Sequence, residues 1–142
     1  MRLNIETYDF VYNVIKMHLE TVLKDYEIIV LKKSKQEEDR FPLVVVTEED
    51  NVLHASTLNK EETVSKLYYE INIYTRDKMV NGNMKYDMEI ARLIASEIDS
   101  VLNMKYKFDR ILCEPTPNLD DSIYRITMRY SIVQNDNRIK LR

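Results

Sequence analysis

Histidine- or cysteine-based chemistry in this chain would have to run through His18, His54 or Cys113, because it contains no other histidine or cysteine, and its many carboxylates form no recognisable acid–base pair. A Ser/His/Asp or Cys/His arrangement needs a base held beside a nucleophile, and no serine stands in a GxSxG elbow. His18 falls in a predicted helix and reads as a side chain at the edge of a helix–sheet contact. His54 falls in a polar connection. Cys113 falls in a predicted strand, where a small buried thiol is expected rather than a nucleophile. A metal site built from Cys and His needs more ligands than these. Glu48, Glu49 and Asp50 are adjacent acids, but three neighbouring loop carboxylates cannot all converge on one ion, and they read as a solvated turn. Gly82 is the sole glycine, which excludes the glycine-rich phosphate cradles GxGxxG and the P-loop. The expectation is therefore no catalytic, metal-binding or cofactor-binding residue, and no enzyme.

Chemistry absent, the elements must carry the function. The chain has 142 residues, enough for one domain with a real core and too few for two comfortable ones. Its net charge of −3 gives no global attraction to nucleic acid or to an anionic membrane. A lone cysteine precludes an internal disulfide and fits a reducing compartment. Glu6 and Asp9 interrupt any signal-peptide pattern, and the aliphatic runs at 28–31 and 43–46 are far too short to span a bilayer. A cytoplasmic domain spanning residues 1–142 is expected.

The strongest pattern is at 66–76. Leu67, Tyr69, Ile71 and Ile73 share one parity, while Lys66, Tyr68, Glu70, Asn72, Tyr74 and Arg76 share the other. Side chains on a strand switch face at every residue, so this predicts a long central strand with one buried and one polar face. Residues 122–133 alternate likewise. Tyr124, Ile126, Met128, Tyr130 and Ile132 lie opposite Ile123, Arg125, Thr127, Arg129 and Ser131. Shorter strands are predicted at 26–32, 43–47 and 108–114, the second buried on both faces because its apolar run is continuous.

Two stretches have helical periodicity. At 5–23 the stripe is Tyr8, Val11, Tyr12, Ile15, Leu19, Val22 and Leu23. At 84–103 it is Met88, Ala91, Ile94, Ala95, Ile98, Val101 and Leu102. Residues 77–83 read as a loop in which Asn81 or Asn83 caps the second helix. The prolines in Pro115-Thr116-Pro117 end a ladder. Residues 33–40 and the tail 134–142 are polar and read as the least ordered segments. The element order α-β-β-β-α-β-β predicts an α+β two-layer sandwich: a mainly antiparallel sheet of about five strands with both helices on one face.

If the two long strands are neighbours, Lys66, Tyr68, Tyr74, Arg76, Arg125 and Arg129 share one polar surface. Exposed Arg and Tyr can stack nucleobases, and the same residue types are enriched at protein interfaces. They also suit a merely solvated face. Glu70 within the patch and the absence of an RNP-type motif speak against RNA. The candidate interface is Tyr68, Tyr74, Arg76, Arg125 and Arg129. The expected partners are the carboxylates Glu48, Glu49, Asp120 and Asp121 of a neighbouring copy.

Three segments together resemble a known family. They are Phe41-Pro42 leading an aliphatic strand into an acidic turn; Ile71-Asn72-Ile73-Tyr74-Thr75-Arg76-Asp77; and Cys113-Glu114-Pro115-Thr116-Pro117-Asn118 followed by Ile123-Tyr124-Arg125-Ile126-Thr127-Met128-Arg129-Tyr130. A Met/Ala/Ile helix lies between the last two. The chain resembles, over nearly its whole length, the tail terminator (tail completion, head–tail joining) proteins of long-tailed bacteriophages and prophages. The resemblance implies a sheet flanked by helices on one side, and a hexameric ring that caps the tail tube and meets the head connector. It implies a structural role in the virion tail, assembled in the host cytoplasm, without turnover, membrane or sequence-specific nucleic acid. The alternative is a small nucleic-acid-binding domain that uses the Arg/Tyr face.

Overall fold

The computed structural model describes residues 5–32, 40–49, 52–56, 63–117 and 120–135. Its elements in chain order are α1 (Ile5–Val22), β1 (Ile29–Leu31), β2 (Leu43–Glu48), β3 (Val52–Ser56), β4 (Thr63–Thr75), β5 (Lys78–Val80), β6 (Asn83–Lys85), α2 (Asp87–Asp99), β7 (Asp109–Pro115) and β8 (Tyr124–Asn135). The two alternating stretches are direct neighbours. β4 and β8 pair antiparallel from Val64↔Asn135 to Thr75↔Tyr124. β2 flanks β4 on its other side, parallel β1 forms one edge, and β7 forms the other beyond β8. The fold is α+β with a mainly antiparallel sheet, as its periodicities require.

Burial follows parity. Leu67, Tyr69, Ile71 and Ile73 of β4 and Ile126, Met128 and Tyr130 of β8 are buried against the helices. The run Leu43–Val46 is buried throughout, as its unbroken apolar character predicts. α1 packs along β1 and is tied to the sheet by tyrosines. Tyr12 donates to the Val30 carbonyl at 3.1 Å, and Tyr8 to that of Val46 at 2.6 Å. α2 lies over β4 and β8, where its small Ala91 and Ala95 permit close approach. In the α2 stripe Ile90 replaces Met88, which is exposed. Val22 at the end of α1 is exposed too. Both point away from the buried stripe, since Ile90 and Ala91 beside Met88, and Leu19 and Leu23 beside Val22, are buried.

Further expectations are corrected. Glu48 and Glu49 do not sit in a turn, while Asp50 and Asn51 of the expected acidic turn lie outside the described residues. β2 and β3 run in the same direction along the same edge of β4, and the Glu49 N–H keeps the ladder with a bond to the Tyr68 carbonyl at 2.9 Å. His54 accordingly belongs to a strand, not a loop.

Residues 77–83 are not a plain loop. Asn81 and Gly82 adopt positive φ of 51° and 81° between β5 and β6, the conformation a two-residue hairpin turn requires. The α2 N-terminus is then capped not by Asn81 or Asn83 but by Asp77, whose Oδ1 accepts from the Asp87 N–H at 2.9 Å. The α2 pattern, read as one helix to residue 103, widens to i→i+5 hydrogen bonding after Asp99. Ser100–Lys105 is π-helical and ends with the Tyr106 N–H on the Val101 carbonyl.

The ladder also continues past Pro115, since the Thr116 N–H reaches the Arg125 carbonyl at 2.9 Å. Backbone groups alternate sides along a strand, so the donor that Pro115 lacks would have faced the open edge. At the C-terminal end, Gln134 and Asn135 pair with Ser65 and Val64 rather than starting a tail. The expected disorder of 33–40 and 134–142 otherwise falls on 33–39 and 136–142, outside the described residues.

Candidate functional site

The pairing of β4 with β8 brings the five candidate residues to one sheet face. Tyr74 stands directly across from Arg125, and Glu70 across from Arg129, with Tyr68 one step along and Arg76 just past the end of β4. The face is more enclosed than its polarity suggests. Asn72, Thr127 and Ser131, all of the polar parity, are buried.

A hydrogen-bonded chain explains how those groups tolerate burial. Asn72 accepts from Arg125 Nε at 3.0 Å and from Thr127 Oγ1 at 2.8 Å, and donates to Glu70 Oε2 at 3.0 Å. Thr116 donates to Thr127 at 2.6 Å. Arg129 grips Glu70 Oε1 through Nε and Nη2, both at 3.0 Å, and stands 3.8 Å from Glu49. Each polar group in the line has a partner, as burial demands. Asn72 and Thr127 were not nominated from sequence, although the pairing of two alternating strands would have placed them opposite each other.

The arginines are therefore not bare cations. Arg76 meets Asp120 at 3.2 Å and lies over the Phe41 ring. The hydroxyl and N–H of Ser122 hold the Asp120 carboxyl below its usual range, and Arg76 adds to this. The Arg125 guanidinium lies over Tyr74, and Lys66 over Tyr68. Two of the four carboxylates expected from a neighbouring copy, Glu49 and Asp120, are thus engaged within the same chain. Both candidate tyrosine faces already carry a cation, which leaves less ring for a nucleobase.

The other sequence candidates are dispersed. His18 Nε2 and Glu97 Oε1 are 2.8 Å apart and join α1 to α2, a helix–helix contact rather than the helix–sheet contact expected. Cys113 is exposed on β7, not buried. Local desolvation raises its pKa despite Arg110, and Asp99 adds to the rise, so the thiol stays protonated at neutral pH. It lines a cleft of about 390 Å³ between α2 and β7, beside Arg92, Asp99 and Arg110. Asp99 is committed there to the Tyr130 hydroxyl at 2.7 Å and to Arg110 at 3.2 Å. Among the described residues, no group of three or more His, Cys, Asp or Glu could hold a metal ion, and no helix is long and apolar enough to cross a membrane.

One unsatisfied polar pair lies on the opposite, helix-covered face, beside Tyr8. The Tyr69 hydroxyl and Glu48 Oε2 are buried without a hydrogen bond of good geometry, yet they couple electrostatically. Burial pushes the Glu48 pKa up, with Tyr69 acting against it. A carboxyl whose folded pKa is raised contributes stability that is full below its unfolded pKa and lost as pH rises through the folded one. Glu48→Gln, which cannot ionise, should therefore stabilise the protein more at pH 7 than at pH 4. Urea midpoints at the two pH values check this, and equal shifts would refute it.

No family model matches the chain, and no curated protein matches it.

Proposed function

We propose that the chain is a structural subunit of a long-tailed phage or prophage: a tail terminator that assembles as a ring, hexameric as the resemblance implies, on the end of the tail tube. The ring stops tube growth and presents a surface to the head connector. The observation that carries this reading is where the resembling segments lie. Residues 41–47, 71–77 and 113–130 contribute to β2, β4, β7 and β8, four successive strands of one sheet, so the likeness follows the frame of the fold and not its loops. The dispersed His18, His54 and Cys113 support a role by assembly rather than turnover. The internally paired arginines and covered tyrosines do not favour the nucleic-acid reading.

The test is to add the protein to polymerising tube protein from the same phage or prophage. Substoichiometric amounts should arrest elongation and leave a cap at one tube end in electron micrographs; unchanged tube lengths would overturn the reading. The sheet face is probed separately. Reversing Arg129 would set a new carboxylate against Glu70 and Glu49, so reversal also burdens the fold. Arg125→Gln with Arg129→Gln keeps bulk and removes charge. If the face forms part of the ring, this double variant should cap tubes poorly while melting near the parent temperature. Parental capping would mean that the face is only solvated.

A further inference from the structure

Methionine marks a second surface. Of the seven methionines, Met17, Met79, Met84, Met88 and Met104 are all exposed by 44% or more. They fall into two groups at opposite ends of α2. Met79 and Met84 are cross-strand partners on the β5–β6 hairpin, and Met88 follows in the first turn of α2, with Tyr86, 61% exposed, between them. Met17 lines a groove of about 310 Å³ between α1 and the π-helical end of α2, walled by Val14, Val101 and Tyr106, and Met104 lies on that same π-helical turn. Met and Tyr are the side chains that protein interfaces favour, because they adapt their shape and bury much area.

We propose that copies of this chain associate head to tail, the β5–β6 hairpin of one seated in the α1–α2 groove of the next. Three observations select a second copy as the occupant. One patch is an exposed hairpin turn and the other a groove. They lie about 20 Å apart along α2 at its helical rise, so a hairpin cannot reach its own groove. Their charges are opposite: Asp87 and Glu89 beside the hairpin and Lys105 and Lys107 beside the groove have no ion pair among the described residues. The hairpin itself carries Lys78 and Lys85 and no acid, so the complementarity rests on α2's first turn alone. The hairpin is also held in place for such a role. Lys78 Nζ donates to the Tyr26 carbonyl at 2.7 Å, and Asn81 to Asp25 at 2.9 Å. Two different patches in contact make a heterologous interface, which closes into a ring when the rotation permits. This deepens the ring reading and rests on it only for what the ring does.

The test needs no tube protein. Sedimentation velocity of the full chain should show reversible association over about 10–200 µM, a range set by ordinary interface affinities. A hairpin variant, Met79→Asp with Met84→Asp, and a groove variant, Met17→Asp with Lys105→Glu, should each weaken association at least about tenfold. All four positions are solvent-exposed, and circular dichroism melting verifies that each variant folds. Mixed together, the two variants should form a one-to-one dimer, since one intact hairpin and one intact groove remain. A wild type that is monomeric throughout the range, a hairpin variant that associates like the parent, or a mixture that stays monomeric would overturn the contact. Intact association without tube capping would overturn the terminator reading and leave the contact standing.

Discussion

Ile94→Ala is expected to lower the free energy of unfolding by about 2–5 kcal/mol, through lost transfer energy and the cavity left behind. Ile94 is fully buried on α2, in one cluster with Ile71 and Ile73 of β4, Ile126 and Met128 of β8 and Ile98 of its own helix. Ala91 and Ala95 already hold α2 close to the sheet, so little slack remains for the helix to settle into the gap. Ile126→Ala should fall in the same range. The two isoleucines share a cluster, so the double variant should depart from additivity. Urea titration measures all three. A loss below about 0.5 kcal/mol at Ile94, typical of a surface position, would mean that α2 does not seal this face.

The second large effect is alkaline. Tyr69 and Tyr130 have no exposed surface, and burial raises both pKa values far above the ordinary tyrosine range, with Glu48 and Asp99 respectively reinforcing the rise. The unfolded chain releases these protons near pH 10 while the native state keeps them. A raised folded pKa gives stability that is full below the unfolded value and lost above it, at about 1.4 kcal/mol per pH unit for each tyrosine. By pH 11 the pair should have removed about 3 kcal/mol relative to neutral pH. Tyr130→Phe should halve that loss, because its ring still fills the site and only one ionising hydroxyl remains. Denaturation midpoints between pH 8 and pH 11 provide the measurement, and a flat profile would show that both hydroxyls reach water.

Legibility in the sequence followed the length of each pattern. Leu67, Tyr69, Ile71 and Ile73 repeat often enough to fix a face, and so do Ile126, Met128 and Tyr130. Shorter signals were lost. β3 has five residues and follows three acids, so charge masked a strand that hydrogen bonding to β4 sustains. The Asn81-Gly82 turn was visible, but β5 and β6 are three residues each, too short to show alternation. The candidate interface was legible as membership of a face, since parity alone groups Tyr68, Tyr74, Arg125 and Arg129. Its electrostatics were not. Whether Arg129 seeks a neighbouring copy or its own Glu70 depends on which residues stand opposite, and that is set by register. The two methionine patches depend on the relation of α1 to α2, which no local pattern records.

The length of β4 has a mechanical consequence. Thirteen strand residues extend about 43 Å at strand rise, whereas the thirteen of α2 extend about 20 Å at helical rise, so the sheet outruns the helices. Its far end, where β3 and the end of β8 flank the start of β4, is a three-stranded overhang. A load entering there and leaving through the helix-covered body would run along the strands. It would shear the β4–β8 ladder, with all twelve paired positions sharing the force, instead of peeling them apart one by one. Single-molecule pulling from the overhang and from the body should find a stiff, high-force rupture, and low-force stepwise opening would count against it.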